Sequence, residues 1–583
     1  MEGATGNPDG CGLEGCCSII EAAWRPLARD PLVPQLQLFH QQNYLWEEPE
    51  SWQGGRMRIK AFTAFRCLIW VVVSHLFLPG VGVSQQEYQT TAELSGFTEY
   101  TSYESMMTYL GQIQVSSTEM RLGVYGETHQ GRQLPYAIFS RPSITRPWEA
   151  WALGKPILVL AAQVHGNERT MRESILILLR DFATQGTAMN QALDELTVLI
   201  VPFINPDGFA AQPEPTRGNL WGLDLNRDYM KLEQPEIQAY TQNILLSWAP
   251  HLFVDGHNGG AFPYNLNYQC PSHPAPDPRI TEVCDELIFP AIDQKLGTEG
   301  FRAWYYQRGN ENRWDVGGFD PRIGRNYGGF SNMVGILFES PRGQSLADGV
   351  RAGFLAYEAV VEWSRDNTAL LLETVLTARR ETVEMGATPV GEVPIDVEYA
   401  PEDERVTYLI ATGTENNREV VEIQSDSLMK RPVATLTRPR PWAYLLPPDA
   451  EEAVELLHRH HIQVEELQEP ITLVVDAYTI GNIVYESIYN HEAATKIDVA
   501  ETLTREMLLP EGTYVVRTGQ MQGRVAAHLL EAETRDGVVY WNRMDAWLPK
   551  NQVEEFKSGG AEAPVFPIFK LMQPTPLPTR LLP

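Results

Sequence analysis

The chain has 583 residues, with 46 Lys and Arg against 75 Asp and Glu and a formal net charge of −29 at pH 7. That length exceeds one ordinary core and leaves room for a large domain with smaller ones beside it. The acidic balance, without any basic block of the kind that tracks phosphates, argues against nucleic-acid binding.

Residues 1–56, rich in Pro, Gly, Trp and Gln and without periodicity, read as a disordered extension or as sequence upstream of the true start. The grammar of a secretory signal begins at Met57: Arg58, Lys60 and Arg66 form the basic region, residues 67–78 the apolar run, and Gly82-Val83-Ser84 offer small residues for cleavage. The apolar run is short for a membrane span, which makes a retained anchor the lesser reading. Residues 57–84 are therefore expected to be a signal peptide on a chain that starts at Met57 and is secreted or periplasmic. Of six cysteines only Cys270 and Cys284 lie beyond the signal. They could pair in an oxidising compartment, although spacing alone does not fix their geometry.

Residues 100–110 have helical spacing, and residues 120–140 read as paired strands about a turn at His129-Gln130-Gly131. The apolar run at 156–162 predicts a buried strand that leads into His165-Gly166-Asn167-Glu168, followed by helical spacing over 169–182. A second buried strand, 198–203, runs into the turn Asn205-Pro206-Asp207-Gly208. Arg217-Gly218-Asn219 and Gly222-Leu223-Asp224-Leu225-Asn226-Arg227 come next, then a helix over 233–248. A third apolar segment, 252–254, ends in Asp255-Gly256-His257, and a fourth, 334–338, ends in Glu339. Strands alternating with helices predict an α/β sheet covered on both faces. Such sheets keep their sites at strand ends.

Composition changes near residue 380. Residues 381–404, rich in Pro and Glu, read as a linker. Beyond it, short alternating strands at 407–411, 420–423, 471–475 and 513–516, interrupted by one amphipathic helix at 448–461, predict a β-rich region over 405–583 with a Pro-rich tail from 573. His458, His460 and His461 of that helix are expected to be solvated. The large α/β domain is then expected over 85–380.

As chemistry, the strand ends deliver two imidazoles, two carboxylates and nearby arginines. Two His and one Glu are a known ligand set for hydrolytic zinc, which lowers the pKa of water and polarises a carbonyl while a neighbouring carboxylate takes the proton. Glu339 fits that base. Arg217 and Arg227 are candidates for an oxyanion contact and for a bidentate grip on a carboxylate. Each has a plain alternative: Glu339 as partner of Arg342, Arg217 as a surface arginine, Arg227 as partner of Asp224 or Asp228. Asp255 is not expected to orient His257, because near neighbours in sequence rarely meet that way.

Taken in order, His165-x-x-Glu168, Asn205-Pro206-Asp207-Gly208, Arg217-x-Asn219-x-x-Gly222-x-Asp224-Leu225-Asn226-Arg227, His257 and Glu339 resemble the zinc metallocarboxypeptidase family, which includes the digestive carboxypeptidases A and B and many bacterial enzymes. The resemblance runs over roughly residues 95–370. It implies a mixed sheet of about eight strands flanked by helices, one Zn2+ held by His165, Glu168 and His257, and Glu339 as general base and acid. It also implies Arg217 facing the oxyanion, and Asn226 with Arg227 gripping the free C-terminal carboxylate of a peptide substrate. For the family's Tyr that closes over the substrate the candidates are Tyr327, which stands nearer Glu339 than in the digestive enzymes and reads more readily as a packing residue, and Tyr305 or Tyr306.

The expectation is thus an exported zinc metallocarboxypeptidase. Two other functions share parts of the pattern. Zinc deacylases of N-acyl amino acids or cell-wall peptides have a similar His-Gly-Asn-Glu and Asp-Leu-Asn-Arg arrangement, and a catalytically silent peptide-binding protein could keep the fold. The Asn-Pro-Asp-Gly turn, the signal and the β-rich extension favour a peptidase over the first, and the intact ligand set and base speak against the second. The extension is expected to pack against or shade the active-site face.

Overall fold

The computed structural model describes residues 88–414 and 417–583. The expected extension over 1–56 and signal over 57–84 lie outside the described residues, which belong to one compact unit. No helix among them is long and apolar enough to cross a membrane.

The first ten strands are β1 (Met120–Glu127), β2 (Gln133–Phe139), β3 (Ile157–Ala162), β4 (Thr197–Val201), β5 (Leu252–His257), β6 (Leu266–Gln269), β7 (Ala303–Tyr305), β8 (Gln307–Gly309), β9 (Trp314–Val316) and β10 (Val334–Glu339). Eight of them form one mixed sheet in the order β1-β2-β4-β3-β5-β10-β6-β7. β3, β4, β5 and β10 run parallel at its centre. Every residue in these four is buried, which is why they read as unbroken apolar runs. Alternate side chains feed two cores. Leu158, Leu160, Val254, Ile336 and Phe338 pack with the helices Thr170–Ala183 and Leu346–Asp366, whereas Ile157, Val159, Ala161 and Phe253 face the other side.

Register turns this sheet into a site. Ala162 of β3 lies opposite Gly256 of β5, and His257 at the end of β5 lies opposite Glu339 at the end of β10. Three parallel strands therefore release their chains at one edge. The pairing that spacing left open is made: Cys270, just after β6, forms a disulfide with Cys284.

The second half differs from the sequence reading in three ways. Its strands are β11 (Glu392–Pro401), β12 (Val406–Thr414), β13 (Asn417–Ser425), β14 (Leu428–Pro439), β15 (Ala443–Leu446), β16 (Glu465–Leu467), β17 (Ile471–Ile488), β18 (His491–Leu509), β19 (Tyr514–Arg517), β20 (Phe569–Leu571) and β21 (Thr579–Leu581). First, the stretch expected as a linker over 381–404 is the end of helix Thr368–Ala387 followed by β11. Pro394 and Pro401 sit where the register with β14 shifts, a place where a missing N–H is tolerated, and Glu392, Asp396 and Glu398 point outward. Second, the boundary near 380 does not separate two cores. β14 pairs with β9 of the earlier half, and the core on the second face of the main sheet continues through Tyr444, Leu457, Val516 and Val525. Third, β17 and β18 form one hairpin of 18 and 19 residues, far longer than the strand expected at 471–475.

His460 is also corrected: it is fully buried, between the Tyr327 hydroxyl and the Met230 carbonyl, and is not solvated. It follows the helix Glu451–Arg459, whose apolar face packs into the shared core and carries the ring inward.

Candidate metal centre and active-site cavity

The loop after β3 carries His165 and Glu168 and is held by the Asn205-Pro206-Asp207-Gly208 turn. Asn205 caps the short helix Pro206–Phe209, accepting from the Gly208 N–H, and donates to the Gly218 carbonyl. Asp207 is buried and accepts from Thr128 and Arg132 beyond β1. A Cβ on Gly166 would run into the Gly208 and Phe209 backbone, so only glycine allows this close approach. The Gly166 N–H in turn donates to the Arg217 carbonyl, which draws the Arg217 segment over the loop.

The side chains of His165, Glu168 and His257 converge. Glu168 Oε2 lies 2.9 Å from His165 Nδ1 and 2.9 Å from His257 Nδ1, and the two nitrogens are 3.1 Å apart. Among the described residues these are the three that could hold one metal ion, with all ligand atoms within 4.8 Å. Both rings turn their other nitrogen to a carboxylate: His165 Nε2 is 3.0 Å from Asp224 Oδ1, and His257 Nε2 is 2.9 Å from Asp255 Oδ2. The Asp224 hydrogen bond to His165 and the Asp255 charge contact with His257 orient the two rings and leave Nδ1 of each for an ion. The expectation for Asp255 is thereby corrected, because residues two apart on a strand share a face and β5 runs through His257.

The electrostatics follow from this packing. Burial works to raise the Glu168 carboxyl, but the two imidazoles outweigh it and hold it well below the usual carboxylate range. Burial works to lower His257, and Asp255 and Glu168 outweigh it, holding the ring well above the ordinary imidazole value. Asp224 is held low by His165 and Arg217 despite its burial. Glu339 goes the other way. Burial pushes its carboxyl up to about 8, against the pull of His257 and with the push of Glu168. Its Oε2 has no hydrogen-bond partner among the described residues, and Gly259 leaves it room, since a Cβ there would crowd that oxygen.

Arg217 donates from Nη1 to Glu168 Oε1 at 3.0 Å and from Nε to Asp224 Oδ2 at 3.1 Å. Arg342 stands 3.7 Å from Glu168 Oε1, with no ion pair to Glu339. Asn226 lies 3.4 Å from His257 Nε2 and accepts from the Gly324 N–H at 2.8 Å. Arg227 donates to its neighbour's carbonyl and forms no ion pair with Asp224 or Asp228, while Asp228 accepts the Glu233 and Gln234 N–H groups. The tip of the β17–β18 hairpin reaches this turn. Asn490 accepts from the Asp224 N–H at 3.0 Å and donates to its carbonyl at 2.9 Å, and the Arg227 guanidinium sits 4.6 Å from the Tyr489 ring centre.

A cavity of about 430 Å³ brings together His165, Glu168, Arg217, Asn226, Arg227 and Glu339 on its walls, with Tyr306 beside them. It does not include Tyr327. That ring is fully buried, packs on Tyr229 and bonds His460 Nδ1 at 3.0 Å, so the expected substrate contact from Tyr327 is corrected. Tyr305 is turned to Asp285, which leaves Tyr306 as the tyrosine at the cavity. Its hydroxyl is shifted upward by Glu339 and then by burial. Sequence reasoning missed Asp255, Tyr489 and Asn490. An Asn between alternating segments does signal a hairpin turn, but where that turn lands is a tertiary fact.

Residues 106–247 and 154–287 match the family model described as zinc carboxypeptidase, a span that includes His165, Glu168, Arg217 and His257 and stops before Glu339. Carboxypeptidase 2 of Trichophyton rubrum is 24% identical over 481 residues, covering 76% of this chain and 84% of that protein. Carboxypeptidase E of Caenorhabditis elegans is 32% identical over 177 residues, covering 28% of this chain and 35% of that protein. A solved metallo-carboxypeptidase from Pseudomonas aeruginosa in complex with (2-guanidinoethylmercapto)succinic acid is 22% identical, with a TM-score of 0.36 over 46% of this chain and 69% of that one. The family match and the fungal relative meet on a cluster of two imidazoles and one carboxylate, so residues 106–287 carry the zinc carboxypeptidase domain of a metal-dependent hydrolase.

Proposed function

We propose that the protein is an exported metallocarboxypeptidase that hydrolyses the C-terminal peptide bond of substrates with a free carboxylate, using Glu339 as general base. Two imidazole nitrogens and one carboxylate oxygen converging within 4.8 Å are a donor set suited to catalytic zinc. His165, Glu168 and His257 would hold the zinc, which would supply Lewis acidity to polarise a carbonyl and make water a stronger acid.

The chain's own groups do the rest. Glu339 takes the proton of the attacking water and delivers it to the leaving amine. Arg217, beside Glu168, donates to the oxygen on which negative charge develops. Asn226 and Arg227 hold the terminal carboxylate and so set which bond lies against Glu339. The observation that carries this reading is the register of β10 on β5, with Glu339 opposite His257 and one carboxylate oxygen unpartnered.

The test is release of terminal amino acids from a mixed peptide library, with and without chelator, beside the same peptides amidated at the C-terminus. Free peptides should be trimmed, chelator should stop the reaction and added zinc restore it, and amidated peptides should resist. Equal cleavage of amidated peptides would refute the role of Arg227. The start at Met57 with removal of residues 57–84 is tested by N-terminal sequencing of protein recovered outside the cytoplasm: a start shortly after Ser84 supports it, and peptides from residues 1–56 refute it.

A further inference from the structure

We infer that this site selects peptides whose last residues are acidic, an inference that rests on the carboxypeptidase reading above. In a chain of net charge −29 the cavity is lined by five arginines, Arg217, Arg227, Arg308, Arg325 and Arg342, against two carboxylates, Glu168 and Glu339. Arg217 and Arg342 already face Glu168. Arg227, Arg308 and Arg325 have no ion pair among the described residues. The local charge is thus opposite to that of the molecule, which attracts anions into the cleft.

Arg325 is the deep member. It is 2% exposed, and its Nε and Nη2 donate only to the carbonyls of Cys270, Gly317 and Gly318. Its Nη1 makes no hydrogen bond within the described residues. A guanidinium taken out of water with neutral partners alone leaves its charge uncompensated, and burial shifts it toward the neutral form. The residue before it, Gly324, is bonded to Asn226, which sets Arg325 beside the Asn226–Arg227 pair assigned to the terminal carboxylate. An acidic last side chain would supply the missing countercharge there.

The cations continue away from the metal centre. A second hollow of about 300 Å³ shares Arg308 and Arg342 with the first and extends to Arg418. Its walls come from the loop after His257, from β8–β9 and from the β12–β13 hairpin, and among the described residues they include no carboxylate. Arg418 lies over the Phe262 ring at 5.5 Å and, like Arg308, has no ion pair among the described residues. A peptide held by its terminus at Arg227 and continuing into this hollow passes Arg308 and then Arg418. Arg325 therefore acts on the last side chain, and Arg308 with Arg418 on those before it.

The experiment compares kcat/KM of the zinc-loaded, full-length protein on peptides that differ only by Glu or Gln, at the last position or at the two before it. Glu is expected to be favoured by about tenfold at the last position and by a few-fold upstream, where screening by salt should erode the preference sooner. Arg325→Gln should collapse the Glu/Gln ratio at the last position, and the double variant Arg308→Gln, Arg418→Gln should collapse it upstream. The ratio in the unmodified protein needs no variant to fold. Equal rates for Glu and Gln peptides, or a preference for Lys, with neutral peptides still trimmed, would overturn the inference and leave the carboxypeptidase reading standing. Failure to trim any peptide with a free C-terminus overturns both.

Discussion

Asp255 shows how much a single side chain adds to the site and why it escaped the sequence. His165, Glu168, His257 and Glu339 were legible because each follows an apolar run and the four stand in one order. Asp255 sits two residues from His257 in the same strand, a spacing that looks unhelpful until the segment is known to remain extended through His257. Its Oδ2 then meets His257 Nε2 at 2.9 Å, a charge contact that holds the ring for the metal. Removing that charge should loosen the ion without unfolding the strand. Asp255→Asn is expected to weaken zinc affinity by about tenfold or more in chelator competition, with an unchanged circular dichroism spectrum. Unaltered affinity would show that Asp224 and the fold suffice to orient the ligands. Tyr327 failed for the opposite reason: nothing local distinguishes a tyrosine aimed at a cavity from one aimed at a core, and its buried partner His460 is far away in sequence.

At the scale of elements, the four central strands were legible because burial on both faces leaves a continuous apolar signature. The β17–β18 hairpin was not, because much of it is exposed and its outer part reads as mixed polar sequence. It is nevertheless the element that connects the β-rich half to the site, through Asn490 on the Asp224 backbone and Tyr489 against Arg227. Replacing the pair, Tyr489→Ala with Asn490→Gly, should release Arg227 and the Asp224 turn. The expected result is a several-fold rise in KM for free peptides with kcat changed less, because the lost contacts position Arg227, the group proposed to hold the terminal carboxylate, and leave Glu339 untouched. Two part-buried bonds between the Asn490 side chain and the Asp224 backbone are worth about 1 kcal/mol each, so the melting temperature should move little. Unchanged KM would reduce the hairpin tip to a packing contact.

For the whole molecule, the unexpected feature is that one core spans both halves. Tyr444, Leu457, Val516 and Val525 belong to the same cluster as Val159, Phe253 and Tyr327, so the later half is a wall of the catalytic unit and not an appended module. The composition break at 380 marked a change of strand type, which sequence can show, and not a change of core, which it cannot. This shared interior also holds histidines that must be neutral. Burial lowers His460 and His528 to about 4, and lowers His251 to about 3. Their folded values lie below the unfolded imidazole value near 6.5, so the stability they protect is fully present above that pH and is lost as pH falls toward 4. A shift of that size in one residue corresponds to on the order of 3 kcal/mol when fully expressed. Thermal unfolding should therefore weaken steeply between pH 6.5 and 4, and His460→Gln should flatten that slope. A melting temperature constant across this range would contradict the assignment.

His165, Glu168 and His257 are proposed to bind one zinc ion against which Glu339 works as the base. The most direct test is to measure zinc content and peptide turnover together in the Glu339→Gln protein. One zinc per chain is expected, as in the unmodified protein, with terminal-residue release lowered by about a thousandfold or more. Near-normal turnover with zinc retained would contradict it.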